Sequence, residues 1–132
     1  MARRGMLVSS TWLDRGLYPP SPEEIVALGL SATDSVARVA RLRLAGNTPL
    51  AIERAALSSR TLPDPERVGT SLYAHLENTG SRPVRAIQRI RAVSLGDDDA
   101  RLLGVSPGVA SLQIERTSYL SWVRVVEFTR SI

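Results

Sequence analysis

The sequence predicts an α+β domain: an antiparallel sheet carrying short helices. Three observations lead there. Apolar residues alternate with polar ones along several stretches, which is the period-2 signal of half-buried strands. Four of these stretches come as neighbouring pairs, residues 36–44 with 49–57 and 109–119 with 123–132, and adjacent hairpins favour antiparallel pairing. Between the strands lie short segments bracketed by helix start and stop residues. A chain of 132 residues most simply forms one domain around one core. It contains no internal repeat, low-complexity segment or long linker.

The elements follow in order. Residues 6–13 read as a first strand. Ser21 then opens a helix as its N-cap, with Pro22 as the first helical residue and Glu24 as the return partner of a capping box. Ile25, Val26 and Leu28 give that helix an apolar side, and Gly29 ends it. Residues 36–44 and 49–57 form the first hairpin. Pro63 and Pro65 break the chain. A second short helix covers 71–78, with Thr70 as its cap and Gly80 as its stop. Residues 84–95 are a long strand. Asp97, Asp98 and Asp99 sit in the first turn of a third helix, where negative charge complements the macrodipole, and Gly104 closes it. The last hairpin turns around Leu120 and Ser121.

Composition narrows the function classes. The hydrophobic fraction of 43% is ordinary for a globular protein. No apolar run approaches the ~18 residues of a membrane span. Met1-Ala2-Arg3-Arg4 is not followed by an apolar stretch of the secretory kind. The expectation is therefore a cytoplasmic protein without membrane contact. With no cysteine and a single histidine, His75, neither a metal centre nor a Ser-His-Asp triad is expected. No cofactor is expected either. His75 reads as a packing residue, and Trp12 and Trp122 as core or interface aromatics. All 17 basic residues are arginine, and the net charge is +4. The arginines are spread along the chain among acids and form no basic helical face, so the charge permits nucleic-acid contact without demanding it.

The first hairpin carries the strongest chemical signal. A loop of Gly46, Asn47 and Thr48 sets Ala45 against Pro49, Arg43 against Ala51 and Arg41 against Glu53. Leu42, Leu44, Leu50 and Ile52 then share one side of the sheet, while Arg41, Arg43 and Glu53 share the other. A two-residue loop would scatter them, because an odd slip reverses the faces. Paired guanidiniums grip planar or tetrahedral anions with forked N–H donors, and a carboxylate beside them accepts from hydroxyl or amide groups. The other reading of the same residues is a pair of solvated arginines. Ser71 and Tyr73 lie at the start of the second helix, where Ser71 is either an anion ligand or a plain cap. Glu53 and Glu127 stand on strands of different hairpins. They either read ligand hydroxyls or neutralise neighbouring arginines. Arg116 is open between a ligand contact and a structural ion pair.

The order of these motifs resembles the UTRA effector-binding domain of the HutC subfamily of GntR-type bacterial transcription regulators. Arg41-Leu42-Arg43 with Pro49-Leu50-Ala51-Ile52-Glu53 resembles the family's "R-L-R … P-x-A-x-E" hairpin. Thr70-Ser71-Leu72-Tyr73-Ala74-His75-Leu76 resembles its "S-L-Y-x-x-L" helix. Ala100-Arg101-Leu102-Leu103-Gly104-Val105 with Gly108 resembles its "A-x-x-L-x-V-x-x-G" turn. Ile114-Glu115-Arg116 and Val126-Glu127-Phe128 resemble its closing hairpin.

The resemblance implies a chorismate-lyase-like fold with a ligand cleft on the sheet. It implies a sensing role: a small anionic metabolite bound by Arg41, Arg43, Glu53, Ser71, Tyr73 and Glu127. An "S-L-Y" after "R-x-R" resembles the phosphate-gripping members, so a phosphosugar comes first and a carboxylate second. It implies no catalytic residue, and DNA contact only through a winged helix-turn-helix for which this chain has no room. The chain also stops before the family's "Y-R-G-D-R-Y", as an effector domain cut from a longer regulator would. The alternative is an enzyme of the same fold that releases pyruvate from chorismate. A homodimer is expected because two-fold regulators match two-fold operators. The β-prone run Trp122-Val123-Arg124-Val125-Val126 adds a reason, since at a sheet edge it would invite pairing.

Overall fold

The computed structural model describes residues 7–69, 71–78, 80, 83–120 and 125–132. The strands are β1 (Val8–Tyr18), β2 (Val36–Ala45), β3 (Thr48–Ser58), β4 (Arg85–Ser94), β5 (Ala110–Tyr119) and β6 (Val125–Ser131). The helices are α1 (Pro22–Leu28), α2 (Leu72–Asn78) and α3 (Asp97–Leu103), with a 3-10 turn at Pro65–Arg67. The strands form one six-stranded sheet in the order β1-β2-β3-β6-β5-β4, and every neighbouring pair is antiparallel. This is the α+β class that the alternation and the paired hairpins predict.

Both faces of the sheet are covered around β2, β3 and β6, so the two sets of alternating residues there build two cores. On one face Ala37, Val39, Ala55 and Leu57 pack with Leu72 and Leu76 of α2. On the other, Val36 and Ala56 pack with Leu28 and Leu30 at the end of α1. Helix α3 lies over β3 on this second face, tied by Arg54 to Asp99 at 2.8 Å.

The helix signals act as written in the sequence. Glu24 N–H donates to Ser21 Oγ at 3.2 Å and Ser21 N–H donates to Glu24 Oε1 at 2.8 Å, a closed capping box. Gly29 ends α1 and Gly104 ends α3, both with positive φ. Val26 departs from its expected role: its side of α1 faces solvent, and it is 84% exposed. Residue 70, the expected cap of α2, lies outside the described residues.

Three strand expectations need correction. The first strand runs on to Tyr18, because a bulge between Trp12 and Asp14 lets it keep pairing with β2 past Leu13. The β2–β3 loop is the two-residue Gly46-Asn47, with Ala45 opposite Thr48 rather than Pro49. A register shift beyond Arg43 absorbs the extra residue, restoring Arg43 opposite Ala51 and Arg41 opposite Glu53. Leu50 sits at that irregularity and is 55% exposed, so it leaves the apolar side that Ile52 keeps. Finally, β6 is an interior strand between β3 and β5. Val125 and Val126 are therefore no sheet edge, and Trp122 lies outside the described residues.

Candidate functional site

The polar site arises where the α2 face changes character along its strands. Ala37 and Leu57 meet α2 as core, followed by Val39 and Ala55, but four residues further on the same face presents Arg41 and Glu53. One cross-strand row there reads Trp12, Arg41, Glu53 and Ser131. The next reads Val39, Ala55, Thr129 and Arg116. The small Ala55 leaves a hollow that α2 roofs with Ser71, Leu72 and Tyr73. The resulting cavity of about 50 Å³ is lined by Arg41, Glu53, Ser71, Tyr73 and Arg116 among others. That volume holds a few waters or one compact anionic group.

Arg41 and Arg43 converge on the same oxygen, Glu53 Oε1, at 3.4 and 3.1 Å. Arg43 Nε is buried and has no hydrogen-bond partner among the described residues, so one donor beside the cavity is unused. The Ser71 hydroxyl accepts from Ala74 N–H at 3.2 Å and so caps α2, leaving its own proton to donate.

Behind the cavity wall lies a buried acid. Glu127 is fully buried, and its Oε1 accepts from Tyr73 Oη at 2.6 Å, Ser118 Oγ at 2.7 Å and Arg116 Nε at 3.0 Å. Its Oε2 accepts from the Thr129 hydroxyl. Burial alone would raise the carboxyl's pKa. The donors Thr129, Tyr73 and Ser118, with the Arg116 charge, outweigh burial and hold the pKa below the usual range. Burial and the bond to Glu127 push the Tyr73 phenol up to about 12. Arg116 also stacks over the Tyr73 ring, 5.2 Å from its centroid. Glu127 thereby locks α2, through Tyr73, to β5 and β6.

The structure brings Arg41, Glu53, Ser71 and Tyr73 to one cavity. Arg43 reaches it only through Glu53, and Glu127 stands behind Tyr73 rather than in the lining. Arg116 is both a lining residue and an ion-pair partner. Trp12 and Thr129 complete the wall and were not singled out as site residues. Thr129 was within reach, since it lies two residues from Glu127 and so shares its face. Trp12 needed the β1–β2 register, which no local signal fixes.

An open antiparallel six-stranded sheet with three short helices is the fold this chain shares with effector domains of GntR-type regulators. The UTRA domain family matches residues 3–132, and the chain belongs to it. Over 135 residues the chain is 30% identical to the HTH-type transcriptional repressor NagR of Bacillus subtilis (strain 168). That alignment covers 100% of this chain and 56% of NagR, so the chain spans about half the length of this relative. The ligand-binding domain of a putative GntR-family transcriptional regulator from Bordetella bronchiseptica superposes with a TM-score of 0.86 at 29% identity, covering 94% of this chain and 83% of that one. A GntR-family transcriptional regulator from Enterococcus faecalis V583 gives a TM-score of 0.86 at 27% identity, covering 93% and 91%.

Proposed function

We propose that this domain senses a small anionic metabolite, a phosphosugar before a carboxylate, in the cavity beneath α2. The carrying observation is the convergence of Arg41, Ser71 and Arg116 on a hollow the size of one anionic group. The charges favour an anion. Arg41, Arg43 and Arg116 face two carboxylates, and one of these, Glu127, is buried and committed to four donors. A phosphate in the cavity would take N–H and O–H donors from Arg41 and Ser71, and Glu53 would accept from a ligand hydroxyl. The hollow admits the head group, and the rest of the ligand extends past Tyr73.

Occupancy would reach a DNA-binding domain elsewhere in the regulator. An effector acts only through different affinities for two conformations. Helix α2 is the element poised to differ, because it touches the ligand through Ser71 and the sheet through Tyr73 and Glu127. The matched relatives are regulators, which favours a cytoplasmic sensor over a pyruvate-releasing enzyme. A homodimer is part of the proposal. Its support is now the exposed edge strand β4, with Ile87 on one face and Ile90 and Leu112 on the other, rather than the end of the chain.

A thermal-shift panel of phosphorylated sugars, amino-sugar phosphates and organic acids tests the reading. At least one phosphorylated sugar is expected to raise the melting temperature. A folded sample that no anion stabilises contradicts it, and turnover of chorismate to 4-hydroxybenzoate would favour the enzyme.

A further inference from the structure

We propose a second small-molecule site on the opposite face of the sheet, shaped for an amphiphile with an apolar body and an anionic head. One cross-strand row on that face reads Asp14, Ala40, Arg54, Arg130, Glu115 and Arg89. Ala40 in this row and Ala56 in the next are too short to fill the space under α1 and α3. The hollow they leave is a cavity of about 410 Å³, walled by Leu13, Leu102 and Phe128. That volume lies in the range of small-ligand pockets. Two of its rim arginines are already neutralised: Arg38 pairs with Glu24 at 2.7 Å and Arg54 with Asp99 at 2.8 Å.

Beside this cavity is a polar compartment of about 240 Å³, lined by Arg89, Arg91, Gln113 and Glu115. Arg130 and Glu23 border both compartments. Here three guanidiniums face two carboxylates, so an incoming anion completes the charge balance. Arg91 Nε donates to Gln113 at 3.1 Å, which holds its guanidinium over the sheet. Glu23 bridges Arg130 at 2.7 Å, yet its side chain is 60% exposed. Such a solvated pair holds weakly, and Glu23 can give way to a ligand head group while Glu115, at 2.8 Å, keeps Arg130 in place. An apolar compartment beside a net-positive one selects a molecule with both parts. The position of the hollow between α1 and α3 favours a free amphiphile over a lipid within a bilayer. This site and the cavity under α2 lie back to back, with Val39 and Ala55 bordering both.

The test is a titration of octyl phosphate into the isotope-labelled chain, followed by two-dimensional NMR. Octyl phosphate is expected to shift the resonances of Ala40, Ala56 and Leu102, whereas inorganic phosphate and octanol do not. Ala40→Leu, which fills the hollow, and the exposed double change Arg89→Glu with Arg91→Glu are each expected to weaken binding about tenfold or more. Arg41→Ala, which removes a lining guanidinium of the α2-side cavity, leaves this binding unchanged. A loss confined to the α2-side variant would place octyl phosphate in that cavity and overturn the proposal. The proposal is overturned if octyl phosphate moves none of these resonances, or moves only those of Ser71 and Tyr73. Equal affinity in the parent, Ala40→Leu and the double variant overturns it too. Tighter association with phosphatidylglycerol vesicles than with octyl phosphate overturns the free-amphiphile assignment.

Discussion

Glu127 decides the electrostatics of the α2-side site, since it takes four donors and leaves Glu53 as the carboxylate exposed to the cavity. Removing its charge would strand Arg116 without its partner. Glu127→Gln is therefore expected to cost roughly 2–4 kcal/mol, read as a lower denaturant midpoint at unchanged slope. The pH dependence has a definite sign. The folded carboxyl titrates below its ordinary 4.5, so its contribution is present above that value and is lost as pH falls through the folded pKa. Acid should destabilise the parent more than Glu127→Gln below about pH 4.5, with a remainder in the variant from Glu24, whose pKa is also lowered. Identical acid profiles would remove Glu127 from this role. The residue was legible in the sequence as a carboxylate on a strand of the closing hairpin. Its complete burial was not, because burial depends on Tyr73 arriving from α2, far away in the chain.

At the scale of elements, the capping box and both glycine stops follow from local hydrogen bonding, and the sequence carries them residue by residue. The first hairpin is more instructive. Alternation of Leu42, Leu44 and Ile52 against Arg41, Arg43 and Glu53 names the faces correctly, because a buried face tolerates no odd slip. It leaves the loop open, since a three-residue loop and a two-residue loop with a bulge produce the same faces beyond Arg43. The bulged form predicts unequal sensitivity. Leu50→Lys should change stability by no more than about 0.5 kcal/mol. Ile52→Ala should cost roughly 2–4 kcal/mol, because Ile52 is fully buried. Chemical denaturation measures both, and comparable losses would return Leu50 to the apolar face.

At the scale of the whole molecule, the strand order β1-β2-β3-β6-β5-β4 joins the two hairpins through β3 and β6. No periodicity in the sequence announces that join. It rests on side-chain packing between distant segments, and it places Arg116 and Thr129 beside Arg41. The same order makes β4 an edge strand, exposed along most of its length on both faces, with Ile87 and Ile90 more than half exposed. A dimer through this region predicts a light-scattering mass near twice 14.4 kDa and its loss on Ile90→Arg. A species near 14.4 kDa at every concentration would place dimerisation in other segments of the regulator, or nowhere. The most direct measurement of the central claim is a calorimetric titration of the parent and Arg41→Ala, which removes a lining guanidinium, with the phosphorylated sugar that stabilises the parent best. Saturable binding is expected in the parent, weakened by ~1.5–3 kcal/mol in the variant, the scale of a charge-assisted hydrogen bond. Equal affinity in the two proteins would contradict the site.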